Sequence, residues 1–156
     1  MSKFHAIELA IQVATRQRDA LAQKHAQAVR NLDFGKSQLS QLESYATDTD
    51  TRWSAGGGAV ALSAELLRHH YSFMERLQGA VQMQTGVLTN LQAQVALAHK
   101  ALLQAEYRLA GFGAVLDARK AMHANVQARR EQRITDEFAS LRHTQNGAQR
   151  RLGENV

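Results

Sequence analysis

Seven histidines are the first residues to weigh for chemistry. Glu65 and His69 stand four apart, a spacing that puts both on one face of a helix. Two ligands leave a metal site incomplete, since zinc takes four ligands, or three and a water. Adjacent His69 and His70 leave a helix in different directions. Gly56-Gly57-Gly58 is not a phosphate loop, because no Lys-Ser/Thr follows it. No Gly-x-Ser-x-Gly elbow and no His-Glu-x-x-His pair occurs. The chain has no cysteine, which excludes disulfides and thiolate ligands. No catalytic residue, metal or cofactor is expected, and the chain reads as a binding protein rather than an enzyme.

Binding chemistry is better represented. Arg129, Arg130 and Arg133, with Arg119 and Lys120 upstream, form a basic stretch in a chain of net charge +5. Three readings apply: nucleic-acid contact, a solvated helix laced with i,i+4 pairs, and contact with an acidic protein surface. Glu131, Asp136 and Glu137 interrupt the cations, and only Phe138 is at hand for base stacking. Both facts count against nucleic acid. Further upstream, Phe73, Leu77, Ala80 and Gln84 share one helical face at spacings of four, three and four. That face is either broadened core packing or a contact surface.

Both groups need helices to carry them. The chain of 156 residues contains no proline, where average usage would give roughly eight. Proline removes a helix hydrogen bond and clashes with the preceding turn, so its absence suits long uninterrupted helices. Apolar residues recur every seven. In the first segment one series is Phe4, Ile11, Arg18, His25, Leu32, Leu39 and Ala46, and its partner series is Ile7, Ala14, Leu21, Ala28, Gly35 and Leu42. In the second segment Val60, Leu67, Met74, Val81, Leu88, Val95, Leu102, Leu109 and Leu116 hold one position without a polar exception. Its partner series is His70, Leu77, Gln84, Leu91, Ala98, Ala105, Phe112 and Arg119. Heptads sustained this long specify a coiled coil. Histidines 25, 70 and 123 fall on the seam, where they set register at some loss of stability.

The expected fold is all-α, a long antiparallel two-helix coiled-coil hairpin with a longer second helix. It forms a single domain over 1–142, with helix 3–46, loop 47–58 and helix 59–142. Turn-prone Thr47, Asp48, Thr49, Asp50 and Thr51 and the three glycines mark the loop, with Trp53 plugging its end. A tail over 143–156, which loses the apolar period, is expected to be frayed or disordered. A turn near Gly57 would set Phe4 opposite Leu109. Leu109, Phe112, Leu116, Met122 and Val126 would then be an apolar stripe without an internal partner, a docking candidate. Gly111 and Gly113 would sit where the first helix runs out, either bending the second or tolerated within it. No apolar run approaches the roughly 20 residues of a membrane span, and residues 1–10 lack the build of a signal peptide. A cytoplasmic protein without direct membrane insertion is expected.

These residues resemble a known family, FliJ of the flagellar type III export apparatus. Phe73-Met-Glu-Arg-Leu77-Gln-Gly-Ala80-Val-Gln-Met-Gln84 looks like its Phe-x-x-x-Leu-x-x-Ala segment. Arg129-Arg-Glu-Gln132-Arg133-Ile-Thr-Asp136-Glu137-Phe138 is similar to its C-terminal Arg-x-x-Gln-Lys-x-x-Asp-Glu-Phe pattern. The resemblance implies a stalk like that of rotary ATPases. Such a stalk inserts into the hexameric export ATPase, promotes its assembly and turnover, and couples it to the membrane export gate protein through that protein's cytoplasmic part. It also implies escort of export chaperones and a place at the cytoplasmic face of the inner membrane, at the flagellar base. By resemblance Phe73, Leu77, Ala80 and Gln84 contact the gate, with Gln84 standing where the family often has His. Arg129, Gln132, Arg133, Asp136, Glu137 and Phe138 contact the ATPase, with Arg133 where Lys is common. The equivalent stalk of a virulence secretion system and a generic coiled-coil adaptor or chaperone are the alternatives.

Overall fold

The computed structural model describes residues 3–55 and 64–154. Two helices hold nearly all of them: α1, His5–Ala55, and α2, Ala64–Gly153. The fold is all-α, an antiparallel two-helix coiled-coil hairpin whose second helix is the longer. Glu8 and Glu65 lie in the first turns, and Arg52, Arg150 and Arg151 in the last, where their charges oppose the helix dipoles.

Contacts divide the chain into two compact units. In the unit Val13–Arg108, ring pairs mark the antiparallel register: Trp53 stacks on His70 at 3.8 Å, Tyr45 meets Phe73 edge-on at 6.1 Å, and His25 faces His99 at 5.4 Å. In the unit of Met1–Gln12 with Leu109–Val156, Phe4 meets His123 edge-on at 5.9 Å.

The heptad seam is realised. All thirteen seam residues of the first segment, from Phe4 to Ala46, are buried or half-buried. On α2 the same holds of both series from His70 to Leu116. Leu67 and Arg119 are exposed, and Val60 lies outside the described residues. Only Ala14 and Leu77 reach full burial among the described hydrophobic residues. Two helices alone leave each seam side chain open on its flank. Each half-buried leucine therefore adds less than the ~1.5–3 kcal/mol of a fully buried one, and stability is spread along the seam.

One seam position needs the absence of a side chain. A Cβ at Gly35 would lie 2.9 Å from Leu91 Cδ1 and 3.0 Å from Leu88 Cδ2. The helices can come this close because α1 has only backbone there. Gln84 Nε2 uses the proximity, donating to the Gly35 carbonyl at 3.0 Å and to Gln38 Oε1 at 3.3 Å.

Three expectations need correction. The loop expected over 47–58 is helical as far as Ala55. The Thr47 and Thr51 hydroxyls donate to the carbonyls of Glu43 and Thr47, bonding within the helix instead of diverting the backbone into a turn. Thr49 and Trp53 continue the seam from Leu42 and Ala46 and are half-buried. Trp53 thus belongs to the coiled coil and does not plug a loop; Gly56, Gly57 and Gly58 lie outside the described residues. Second, Phe4 lies against His123 rather than Leu109. A turn at Gly57 would have put Trp53 near Ala61, but it pairs with His70, so each residue of α1 faces a later residue of α2. Leu109, Phe112 and Leu116 are consequently half-buried and are not free for docking. Third, the tail expected to fray from 143 is helical to Gly153. Ala148, Gln149, Arg150, Arg151 and Leu152 are strong helix formers, and the Thr144 hydroxyl bonds back to Ser140. Through Gly111 and Gly113 the helical backbone is unbroken.

Candidate functional site

The seam of α2 runs out near Val126. Counting in sevens from Leu116 and Phe112, its next positions are His123, Arg130 and Glu137, and Arg119, Val126 and Arg133. Charge at these positions cannot be buried against an apolar partner helix without a large desolvation penalty. Every described residue from 124 to 154 is accordingly exposed. This part of α2 has no seam to fill and is available to other molecules.

Arg129, Gln132, Arg133 and Asp136 stand at i, i+3, i+4 and i+7, so they share one face. Gln132 Nε2 donates to Asp136 Oδ1 at 3.2 Å. This bond holds the amide and the carboxylate together and leaves the two guanidinium groups to project beside them. Glu137 flanks this face. Phe138 emerges on the other side of the helix, 63% exposed. It continues a stripe with Ile134, 54% exposed, and Leu141, 59% exposed. The six residues expected to act together therefore form two faces, one ionic and one apolar. Ile134 and Leu141 were missing from the sequence-based set, although their spacing of four and three around Phe138 is its signal.

The second group sits elsewhere. Phe73, Leu77, Ala80 and Gln84 do share a face of α2, and that face is turned toward α1. Leu77 is 8% exposed, Phe73 and Ala80 are half-buried, and the Gln84 amide is bonded to the Gly35 carbonyl. Tyr45 lies against the ring of Phe73 and is itself exposed. Near this end the exposed surface is aromatic, through Tyr45 and Tyr71.

The histidines are placed by packing. His25 and His70 each lie within 6 Å of a ring on the opposite helix, His99 and Trp53, and His123 lies 5.9 Å from the ring of Phe4 in the turn before α1. Glu65 and His69 are exposed. Among the described residues no group of three or more His, Cys, Asp or Glu side chains is placed to hold a metal. No helix among them is long and apolar enough to cross a membrane.

A family model described as flagellar FliJ protein matches residues 4–148, nearly the whole chain. No curated protein and no solved structure matches it.

Proposed function

The chain belongs to the flagellar FliJ family, and from that premise we propose that it is a coupling stalk between the ATPase and the gate of flagellar export. Membership makes it a component of the flagellar export apparatus. Within that apparatus the proposed contact with the hexameric export ATPase is made by residues 129–138, through Arg129, Gln132, Arg133, Asp136, Glu137 and Phe138. The observation that carries this reading is the exposure of α2 over 124–154. A helix whose partner helix has ended offers a full circumference to a ring-shaped partner. Cations on one face and apolar residues on the other give that partner both orientation and grip.

The proposed gate contact lies at the Phe73 end. There Phe73 and the neighbouring exposed Tyr45 would meet the cytoplasmic part of the gate protein, while Leu77 and Gln84 keep the two helices in register beneath them. Ala80 lets the gate approach the helix backbone closely. In this reading the chain catalyses nothing itself. It promotes assembly and turnover of the ATPase, helps escort export chaperones, and is held by its partners at the cytoplasmic face of the inner membrane.

ATP turnover of the cognate export ATPase, measured with and without the full chain across ATPase concentrations, tests the proposal. Stimulation that is largest at low ATPase concentration supports a stalk that assembles the ring. No stimulation by a chain verified as helical refutes it and leaves an adaptor or chaperone role.

A further inference from the structure

α1 is preceded by a turn at Lys3 and Phe4, and α2 carries two more apolar residues alongside that turn and beyond it. Phe4, Met122 and Val126 form the apolar floor of an open groove of about 330 Å³, with Lys3, Arg119 and His123 along its edges. Met122 is 67% exposed and Val126 44% exposed, so the floor is accessible. Lys3 Nζ lies 3.5 Å from His123 Nδ1, which fixes one edge of the groove as cationic.

The face that carries this floor continues along α2. Arg119, Met122, Val126, Arg129 and Arg133 follow one another at steps of three and four, and Arg130 stands four after Val126, which keeps the six on one side of the helix. Across residues 119–133 the cations are Arg119, Lys120, Arg129, Arg130 and Arg133, and the one acid is Glu131. Glu131 lies on the opposite side, and Asp136 and Glu137 come only a turn later. The groove is therefore an apolar seat bordered by cations at both ends.

We propose that this groove docks an acidic amphipathic helix of a partner protein. An apolar side chain of that helix sits on Phe4, Met122 and Val126, and its carboxylates lie against Lys3, Arg119, Arg129, Arg130 and Arg133. The proposal rests on the reading that partners dock on this part of α2, and it names the chemistry of the docking segment. A helix is the occupant because Val126 continues the seam that α1 fills elsewhere and Met122 stands four residues before it, a spacing suited to helix-on-helix packing. The occupant is acidic because like charges across an interface are strongly disfavoured. A second copy of this chain would bring the same cations to the same place. A nucleic acid would satisfy the arginines but has no use for a floor of Phe, Met and Val.

The test uses the full chain and a synthetic three-heptad peptide with leucine at its seam positions and glutamate on both flanks. A counterpart with lysine for glutamate and a short DNA duplex serve as controls, and binding is read by fluorescence anisotropy. The expected result is saturable binding of the acidic peptide that weakens with added salt. Met122→Gln with Val126→Gln should lower affinity at least about tenfold, as truncation at the centre of an interface does. Arg119→Gln with Arg129→Gln should have a similar effect, and Leu152→Gln none. All these positions are exposed, so unchanged circular dichroism is expected throughout. Equal binding of the lysine peptide, or affinity indifferent to Met122 and Val126, overturns the proposal. Duplex DNA that competes equally well against both the native chain and the Met122, Val126 variant reduces the groove to a polyanion surface and overturns it too. No ATPase is present in the measurement. A native chain that stimulates the ATPase but does not bind the acidic peptide therefore counts against the groove alone, and one that binds the peptide but does not stimulate counts against the stalk reading alone.

Discussion

Replacing helical glycines by alanine should separate one glycine from the rest. An alanine in a helix interior is favoured over glycine by about 0.8–1 kcal/mol, because it restricts the unfolded chain more. At Gly86 and Gly111 an added Cβ meets nothing within 4 Å, so each substitution should deliver that gain in full. For a chain of this size that is roughly 2–4 °C in Tm. At Gly35 the same Cβ comes within 2.9 Å of Leu91 and 3.0 Å of Leu88. Both neighbours are terminal methyl groups of flexible side chains, so they can yield, but both must yield at once. Overpacking of this kind costs about 1–3 kcal/mol. The gain and the penalty combine to a loss of about 1 kcal/mol, and Gly35→Ala should stand about 2 kcal/mol below Gly86→Ala. Thermal unfolding followed by circular dichroism at 222 nm reads all three variants directly. If Gly35→Ala raised the midpoint as much as Gly86→Ala, the close approach of the helices at Gly35 would be refuted, and with it the register that sets Gly35 against Leu88 and Leu91.

Three further outcomes are expected. Leu77→Ala removes a side chain that is 8% exposed and should destabilise by about 2–4 kcal/mol, while Leu91→Ala and Leu102→Ala, at half-buried positions, should lose less; chemical denaturation gives the ranking, and equal losses would contradict it. Gln84→Leu exchanges a seam amide for an apolar side chain and should raise the midpoint, because polar seam residues specify register at the expense of stability; a lower midpoint would mean that the bond to Gly35 outweighs apolar packing. Arg129→Glu with Arg133→Glu should abolish stimulation of the export ATPase and leave helicity and Tm unchanged, since both side chains are exposed; unchanged turnover would remove residues 129–138 from the proposed contact.

The seam was legible in the sequence because a coiled coil repeats one demand every seven residues, and nearly every position from Phe4 to Leu116 answers it. The ends of the helices were harder to read. Thr47 and Thr51 have poor helix propensity taken singly, yet their hydroxyls find carbonyl partners four residues back. Thr49 and Trp53 kept the period through the same stretch, and weighing that period above composition would have carried α1 onward. The register error followed, because moving the chain reversal shifts every facing pair. It extended the expected docking stripe, of which Met122 and Val126 are exposed, back over Leu109, Phe112 and Leu116, which are half-buried. The candidate site residues were only partly legible. The spacing of Phe73, Leu77, Ala80 and Gln84 places them on a common face, but periodicity cannot say whether a face beside the seam turns inward or outward. The burial of Leu77 and the bond from Gln84 to Gly35 depend on how closely the two helices approach.

The point at which the coiled coil stops is itself written in charge. Phe112 and Leu116 are the last of an apolar series, and the seam then passes through Arg119, His123, Val126, Arg130, Arg133 and Glu137. A partner helix laid there from the same chain would have to strip water from guanidinium groups with only scattered apolar contact in return. An external partner carrying carboxylates offsets part of that penalty, because it brings counter-charges and charge-assisted hydrogen bonds with it. The seven-residue spacing that builds the hairpin therefore also marks its end. The positions that hold α1 against α2 become, a few turns later, the positions that turn intramolecular packing away and leave an ionic face with the groove of Phe4, Met122 and Val126 at its edge. On the proposed reading, stability and recognition are set out in sequence along α2, so substitutions in the exposed part should alter partner binding while the coiled coil that presents it stays intact.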